Sequence, residues 1–204
     1  MSEQLNSEKH LQILAAAQKR FARFGFAKVT MDEIAQDLGI GKASLYYYFP
    51  TKESIIREVI LREQQRFNEA LSAILGEDLT AGQKFRLYME QRWIYLNELI
   101  NLSGVNVVTI QHFKPIFGDL YERFTATELE IVGQILNEGK TTGEFAIGDT
   151  AETASVLLRT FRGFRMAYLK GFELLRTDSP EYHRLKQEMN LLAELILTGV
   201  VARK

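Results

Sequence analysis

The chain has 204 residues, with 25 Lys and Arg against 26 Asp and Glu, three His, three Pro and no Cys, and a formal net charge of −1. Without cysteine there is no disulfide framework, no thiolate zinc site and no cysteine nucleophile. An apolar content of 46% with 25% charged residues is the balance of a globular protein able to bury a sizeable core, and near-neutrality gives no compositional ground for nucleic-acid binding, which must rest on where charge is placed.

The length allows one large domain, or a small domain joined to a larger one. Met1 to Lys9 is polar and lacks the apolar core of a signal peptide. No run approaches the ~18 apolar residues of a membrane span. The reading is of a cytoplasmic protein with no membrane partner. Three prolines leave long uninterrupted segments, and their apolar spacing is helical.

Leu14, Ala17, Phe21 and Phe24 step by three and four and end at Gly25, which suits a helix C-terminus. The next stretch, VTMDEIAQDLGIGKASLYYYFPTKE from Val29 to Glu53, is the most informative. Thr30 can cap a short helix whose positive first turn suits Asp32 and Glu33. Ile34, Ala35 and Leu38 share one side, and Gly39 follows where a tight turn needs positive φ. Ile40 closes the corner, and a second helix opens near Lys42 with Leu45 and Phe49 facing inward. Ala35 is small enough to let the two helices cross closely. Lys42, Ala43, Ser44, Tyr46 and Tyr47 are left outward.

This is the pattern of a helix-turn-helix over about residues 31–50, whose second helix enters the DNA major groove. An ordinary αα-hairpin has the same Gly turn. However, three consecutive tyrosines on a seven-residue helix cannot all face a core when successive residues turn by ~100°. Tyr48, three residues after Leu45, fits inward packing and DNA contact equally well.

Further along, Ile56, Ile60, Phe67, Leu71 and Ile74 mark a long helix from Thr51 to near Gly76. Phe85, Met89, Trp93, Leu96 and Ile100 mark another. Val105 to Ile110 is a β-branched cluster that reads as a short helix rather than a short strand. His112, Lys114 and Pro115 are expected in an irregular segment between helices. From about Asp149 to Leu175, Leu157, Phe161, Phe164, Tyr168 and Phe172 form one more face. Asp178, Ser179 and Pro180 start a last helix with Leu185, Met189, Leu192, Ile196 and Val200 on one side. Leu191 and Leu195 give that helix a second apolar side. The fold class is therefore all-α.

GIGKASLYYYFPTKESII, preceded by VTMDEIAQDL, resembles the N-terminal domain of the TetR family of bacterial transcriptional regulators over about residues 8–56. The resemblance implies a three-helix helix-turn-helix DNA-binding domain, taken as residues 1–56. A larger helical ligand-binding and dimerisation domain, residues 57–204, would follow. It further implies a homodimer through the last two helices, about 149–175 and 180–202, bound to a double-stranded palindromic operator. By position, Lys42, Ala43 and Tyr46 would lie near base edges. Thr30, Gly41, Ser44, Tyr47, Tyr48 and Lys52 would lie near phosphates. Gly41 and Ala43 stand where the family often has Ser and Gly, which removes one hydroxyl donor. The second helix offers no Arg, Asn or Gln for bidentate base readout, so shape and phosphate positioning carry much of the affinity.

The aromatic stripes beyond residue 57 belong more often to a core than to a pocket. Taken together they still permit an apolar site between helices for a small, largely apolar effector. The candidates are Trp93, Phe113, Phe117, Tyr121, Phe161, Phe164, Arg165 and Tyr168. Arg162 and Arg165 beside the last stripe fit an anionic group on such a ligand, a solvated face, or an ion pair across a dimer. His10, His112 and His183 are isolated, so no metal or other cofactor is expected. A ligand-responsive regulator, most simply a repressor, is the leading reading. The alternative is a helical small-molecule or protein-binding module without DNA regulation, which would have no use for the exposed Lys42–Tyr48 surface. An enzyme is disfavoured, since no nucleophile, metal cluster or phosphate loop has the right setting.

Overall fold

The computed structural model describes residues 2–103, 107–169 and 178–200, with side chains at 6–98, 118–168 and 178–199. Helix α1 spans Ser2–Phe24 and runs through a 3₁₀ turn, Phe26–Lys28, to α2, Met31–Asp37, and α3, Lys42–Tyr48. Helix α4, Lys52–Leu75, leads to α5, Ala81–Ser103, and α6, Val107–Thr141. The last two helices are α7, Thr150–Leu169, and α8, Pro180–Val200. The all-α fold is as expected from the spacing. No helix among the described residues is long and apolar enough to cross a membrane.

Two separate apolar cores account for this layout. The first joins Ile13, Leu14, Ala17 and Phe21 of α1 to Ile34 and Ala35 of α2, Leu45 of α3, and Ile55, Ile56 and Val59 of α4. Leu45 and Ile34 are fully buried, each contributing about 1.5–3 kcal/mol by leaving water. The second core gathers Phe67, Leu71 and Ile74 of α4 with Phe85, Tyr88 and Met89 of α5, Ile131 and Ile135 of α6, Phe161 of α7, and Leu185 and Met189 of α8. Helix α4 thus belongs to both, its first two turns in one core and its last two in the other. Between them the buried Glu63 accepts hydrogen bonds from Gln18 of α1 and from Arg66, each at 3.1 Å.

Two expectations are corrected. Phe24 was placed on the buried stripe of α1, but it is 46% exposed, with the guanidinium groups of Arg20 and Arg23 over its ring at 5.3 and 5.0 Å. The chain turns away at Gly25, where φ is 79°. Phe26 from the next turn takes the place beside Phe21, with ring centroids 5.3 Å apart. The second correction concerns His112 to Pro115. Their backbone lies inside α6, a helix of 35 residues, rather than in a break between helices. Proline removes one helical hydrogen bond, yet the turns on either side carry the helix through. Residues 107–110 belong to the same helix, so the β-branched cluster is helical as expected, though not a short element. Val105 itself, and residues 170–177 at the expected end of α7, lie outside the described residues.

Candidate nucleic-acid interface

The α2–turn–α3 unit is fixed by local chemistry at three points. Thr30 caps α2: its hydroxyl accepts from the Glu33 amide at 3.3 Å, while the Glu33 carboxylate accepts from the Thr30 amide at 2.8 Å. This reciprocal pair satisfies two donors that a helix start leaves open. Arg20 of α1 holds the same Glu33 at 3.0 Å and Asp37 at 2.6 Å, tying both ends of α2 to α1. At the turn, Gly39 has φ 62°, a conformation that costs residues with a Cβ. Ala35 at 3% exposure is the small contact residue, and Ile40 packs at the corner.

Helix α3 then presents one face to solvent. Leu45 and Phe49 point inward at 0% and 3% exposure, whereas Tyr46 is 41% and Tyr47 77% exposed. Lys42, Ala43 and Ser44 are exposed, as is Gly41, which supplies the N-cap position of α3. Tyr48 is half-buried against the first core and meets the Tyr47 ring edge-on at 5.3 Å. At the end of α3, His10 stacks on Phe49 at 4.7 Å and pairs with Glu58 of α4 at 3.2 Å.

The cations on this face are already partnered. Lys42 Nζ lies 2.7 Å from one Asp32 oxygen and 2.9 Å from the other, and sits 5.9 Å from the centre of the Tyr46 ring. The hydrogen bond to Asp32 raises the Lys42 pKa, so the ammonium stays charged. Lys52 Nζ donates to the carbonyls of Phe26 and Val29 at 2.9 and 2.8 Å and lies 4.3 Å from the Phe26 ring centre. Its position near the expected phosphate surface is therefore also a structural one, joining the start of α4 to the 3₁₀ turn. Sequence spacing gave no sign of either attachment, because Asp32 and the two carbonyls reach their lysines only through the tertiary fold.

In the second core the expected effector residues separate. Trp93 and Arg165 line one cleft with Met89, Arg92 and Leu96 of α5 and Met189 of α8. The cleft holds only ≈ 10 Å³, the room of about a single water. Phe161 is fully buried at its side, with the Arg92 guanidinium 5.9 Å from its ring centre. Phe164 and Tyr168 are half-buried against the core. Tyr121 stands outside at 53% exposure, 5.7 Å below the Arg162 guanidinium. The side chains of Phe113 and Phe117 lie outside the described residues. A larger, more polar groove of ≈ 410 Å³ opens between α5 and α8 at Trp93, Asn97, Tyr182 and Asn190.

Sequence reasoning missed the charges buried beside this cleft. Glu128 of α6 is 1% exposed, accepts from Tyr88 Oη at 2.6 Å and from Arg162 at 2.9 Å, and forms an ion pair with Arg92 Nε at 3.2 Å. Arg162 is thus paired with a carboxylate of its own chain. Burial pushes the Tyr88 hydroxyl well above its usual range, which keeps it a donor. The signal was present in the periodicity. Arg92 interrupts the Phe85–Met89–Trp93–Leu96 stripe, and Glu128 sits in line with Phe124, Ile131 and Ile135. A charge on an apolar stripe must find a partner.

Elsewhere, α7 leaves Val156 at 49% exposure and α8 leaves Leu191 and Leu195 at 61% and 62%. Gly163 of α7 is exposed too, and a side chain added there would meet nothing.

Comparison with known proteins agrees with the helix-turn-helix geometry. Residues 13–59 match the profile of bacterial regulatory proteins of the tetR family. The chain is 26% identical over 140 residues to the fatty acid metabolism regulator protein of Bacillus subtilis strain 168, covering 69% of this chain and 72% of that one. It is 24% identical over 154 residues to the HTH-type transcriptional regulator QacR of Staphylococcus aureus, covering 74% and 81%. Among solved structures, a transcriptional regulator from Cytophaga hutchinsonii ATCC 33406 superposes with a TM-score of 0.84 at 39% identity, over 93% of this chain and 97% of that one.

Proposed function

The chain belongs to the TetR family of bacterial transcriptional regulators and is a DNA-binding protein, not an enzyme; we propose that it acts as a cytoplasmic, ligand-responsive repressor. In this reading residues 1–56 read DNA, and residues 57–204 bind a small, largely apolar effector and dimerise. The observation that carries the reading is the outward face of α3. Lys42, Ala43, Ser44, Tyr46 and Tyr47 stand free of the core on a helix braced by the Thr30–Glu33 cap and the Gly39 turn. Lys42, Ala43 and Tyr46 are assigned to base edges. Thr30, Gly41, Ser44, Tyr47, Tyr48 and Lys52 are assigned to the flanking backbone, where hydroxyls, amides and the start of α4 favour phosphate.

Dimerisation through α7 and α8 is supported by the uncovered Val156 of α7, Leu191 and Leu195 of α8, and the open Gly163. Large apolar side chains left exposed on two helices are a liability on a monomer and pack readily into a twofold four-helix bundle. Two recognition helices would then sit roughly 34–36 Å apart, one turn of DNA, or at a multiple of that.

Helix α4 is the natural carrier of the response. It contributes to both cores, its start is bound through Lys52 to the 3₁₀ turn, and its middle is tied to α6. The ties are a bidentate Arg57–Asp119 pair and a bond from Gln64 to the Leu120 carbonyl at 3.3 Å. An effector that shifts α6 relative to α5 therefore moves α4, and with it the spacing of the recognition helices. The change in operator affinity is bounded by the effector's preference between the two states.

Selection from a random duplex library, followed by anisotropy titrations on the enriched sites, tests this proposal. Palindromic sites bound with a stoichiometry of two chains are the expected result. Recovery of no preferred sequence, or binding by single chains, would refute it.

A further inference from the structure

Three guanidinium groups converge beside the α5–α7–α8 cleft, and among the described residues one carboxylate, Glu128, pairs with two of them. Glu128 is saturated by Arg92, Arg162 and the Tyr88 hydroxyl. Arg165, one turn beyond Arg162 on α7, lines the cleft with its Nε sealed from solvent and without a hydrogen-bond partner. Its surroundings there are Trp93, Met89, Leu96 and Met189. A guanidinium nitrogen held this way is costly, because Nε has given up water without gaining an acceptor while the side chain as a whole is half-buried. Burial, together with the like charges of Arg92 and Arg162, lowers its pKa to about 10, so it remains protonated at neutral pH. The neighbourhood thus carries a surplus of positive charge against an otherwise apolar wall.

We propose that the effector is a carboxylate-bearing amphiphile whose head group pairs with Arg165, while its apolar body lies against Trp93, Met89, Leu96 and Met189. This inference rests on the reading of the helical half as the effector domain and names the chemistry of its ligand. The carboxylate supplies the acceptor that Arg165 lacks, through a charge-assisted and potentially bidentate pair. The two methionines adapt to the shape of the tail. The cleft has room for about one water as it stands, so entry of the tail spreads α5 from α7 and α8. Head-group recognition is thereby coupled to helix movement.

Trp93 is the chain's single tryptophan and lines the same cleft, so its emission reports occupancy directly. Octanoate, octanol and octylamine, which share a tail and differ in head charge, are titrated into the full-length protein. Octanoate is expected to bind at least about tenfold tighter than octanol, the range of a charge-assisted hydrogen bond, with octylamine weakest. Arg165→Met keeps the bulk of the stem and is expected to erase the preference while leaving octanol binding intact. It should melt no lower than wild type, because it removes an unpaired cation. Arg165→Lys should retain part of the preference, and tests the point independently if the methionine variant fails to fold.

Equal binding of octanoate and octanol to wild type, or a preference that survives in Arg165→Met, overturns the carboxylate assignment while leaving the effector cleft in place. Absence of any Trp93 response to all three compounds overturns the cleft itself as the effector site.

Discussion

Asp32→Asn is the most direct probe of how this protein meets DNA. Asp32 holds Lys42 across the first turns of α2 and α3, at 2.7 and 2.9 Å, and both side chains are largely exposed. As a pair they carry no net charge, so they displace no counterion on approaching the duplex. The amide variant keeps the shape of the side chain and leaves the Thr30–Glu33 cap of α2 untouched, but it releases one positive charge per protomer. Each additional phosphate neutralised steepens the log–log salt dependence by about 0.9. Two protomers acting together would steepen it by about 1.8. Between 50 and 200 mM salt, the variant's affinity for a non-specific duplex should therefore fall about 12-fold more than that of wild type.

Fluorescence anisotropy on a fixed 30-base-pair duplex of arbitrary sequence, over a salt series, gives the slope directly. Adding Lys42→Met to Asp32→Asn restores local neutrality and should return the slope to the wild-type value. A slope in Asp32→Asn equal to wild type would mean that the charge of Asp32 does not govern the Lys42 contact, and the argument from internal neutralisation would fail.

Other substitutions test the frame around the site. Thr30→Ala removes one half of the α2 capping box and should cost about 1 kcal/mol, read by urea denaturation, with weaker DNA binding as a consequence. Gly139→Ala drives a methyl group into the Phe145 ring. It should destabilise by about 1–3 kcal/mol, and Phe145→Leu in the same chain should recover part of the loss. Glu128→Gln leaves Arg92 and Arg162 buried without their carboxylate, an expected loss of about 3–5 kcal/mol in the denaturation midpoint at unchanged slope.

The helix-turn-helix was legible because its determinants are local. A cap at Thr30, a positive φ at Gly39 and inward positions at Leu45 and Phe49 each depend on neighbours within a few residues. The start of α8 at Pro180 and the end of α4 at Gly76 were legible for the same reason. Where the determinant was a distant partner, the pattern was silent. Nothing near Lys52 announces that it will bind the carbonyls of Phe26 and Val29, and nothing near Glu128 names Arg92. Proline misled in the opposite direction. Pro115 reads as a helix terminator, yet the long apolar register of α6 overrides a single missing N–H. Phe24 obeyed the helical period but fell where α1 had run out of core.

The distribution of charge links the two halves more closely than the net value of −1 suggests. Residues 1–56 carry a balance of only +1, and the structure ties Lys42 and Arg20 to carboxylates and Lys52 to carbonyls. A DNA-facing surface arranged in this way attracts the duplex weakly at long range. In the proposed dimer, hydroxyls, amides and the separation of two recognition helices would then supply most of its discrimination. Discrimination by separation is sensitive to small helix movements, because misplacing one half-site forfeits its contacts as a set. In the other half, the surplus positive charge lies beside a closed cleft, with Arg165 lacking an acceptor. There an anion stands to gain most at Arg165 Nε, the nitrogen that is sealed from water and without a partner. In the repressor proposed above, modest affinity on the DNA side and strong selectivity on the effector side would make an efficient switch. A ligand-driven shift in α4 would then have little electrostatic attraction to overcome before the operator is released.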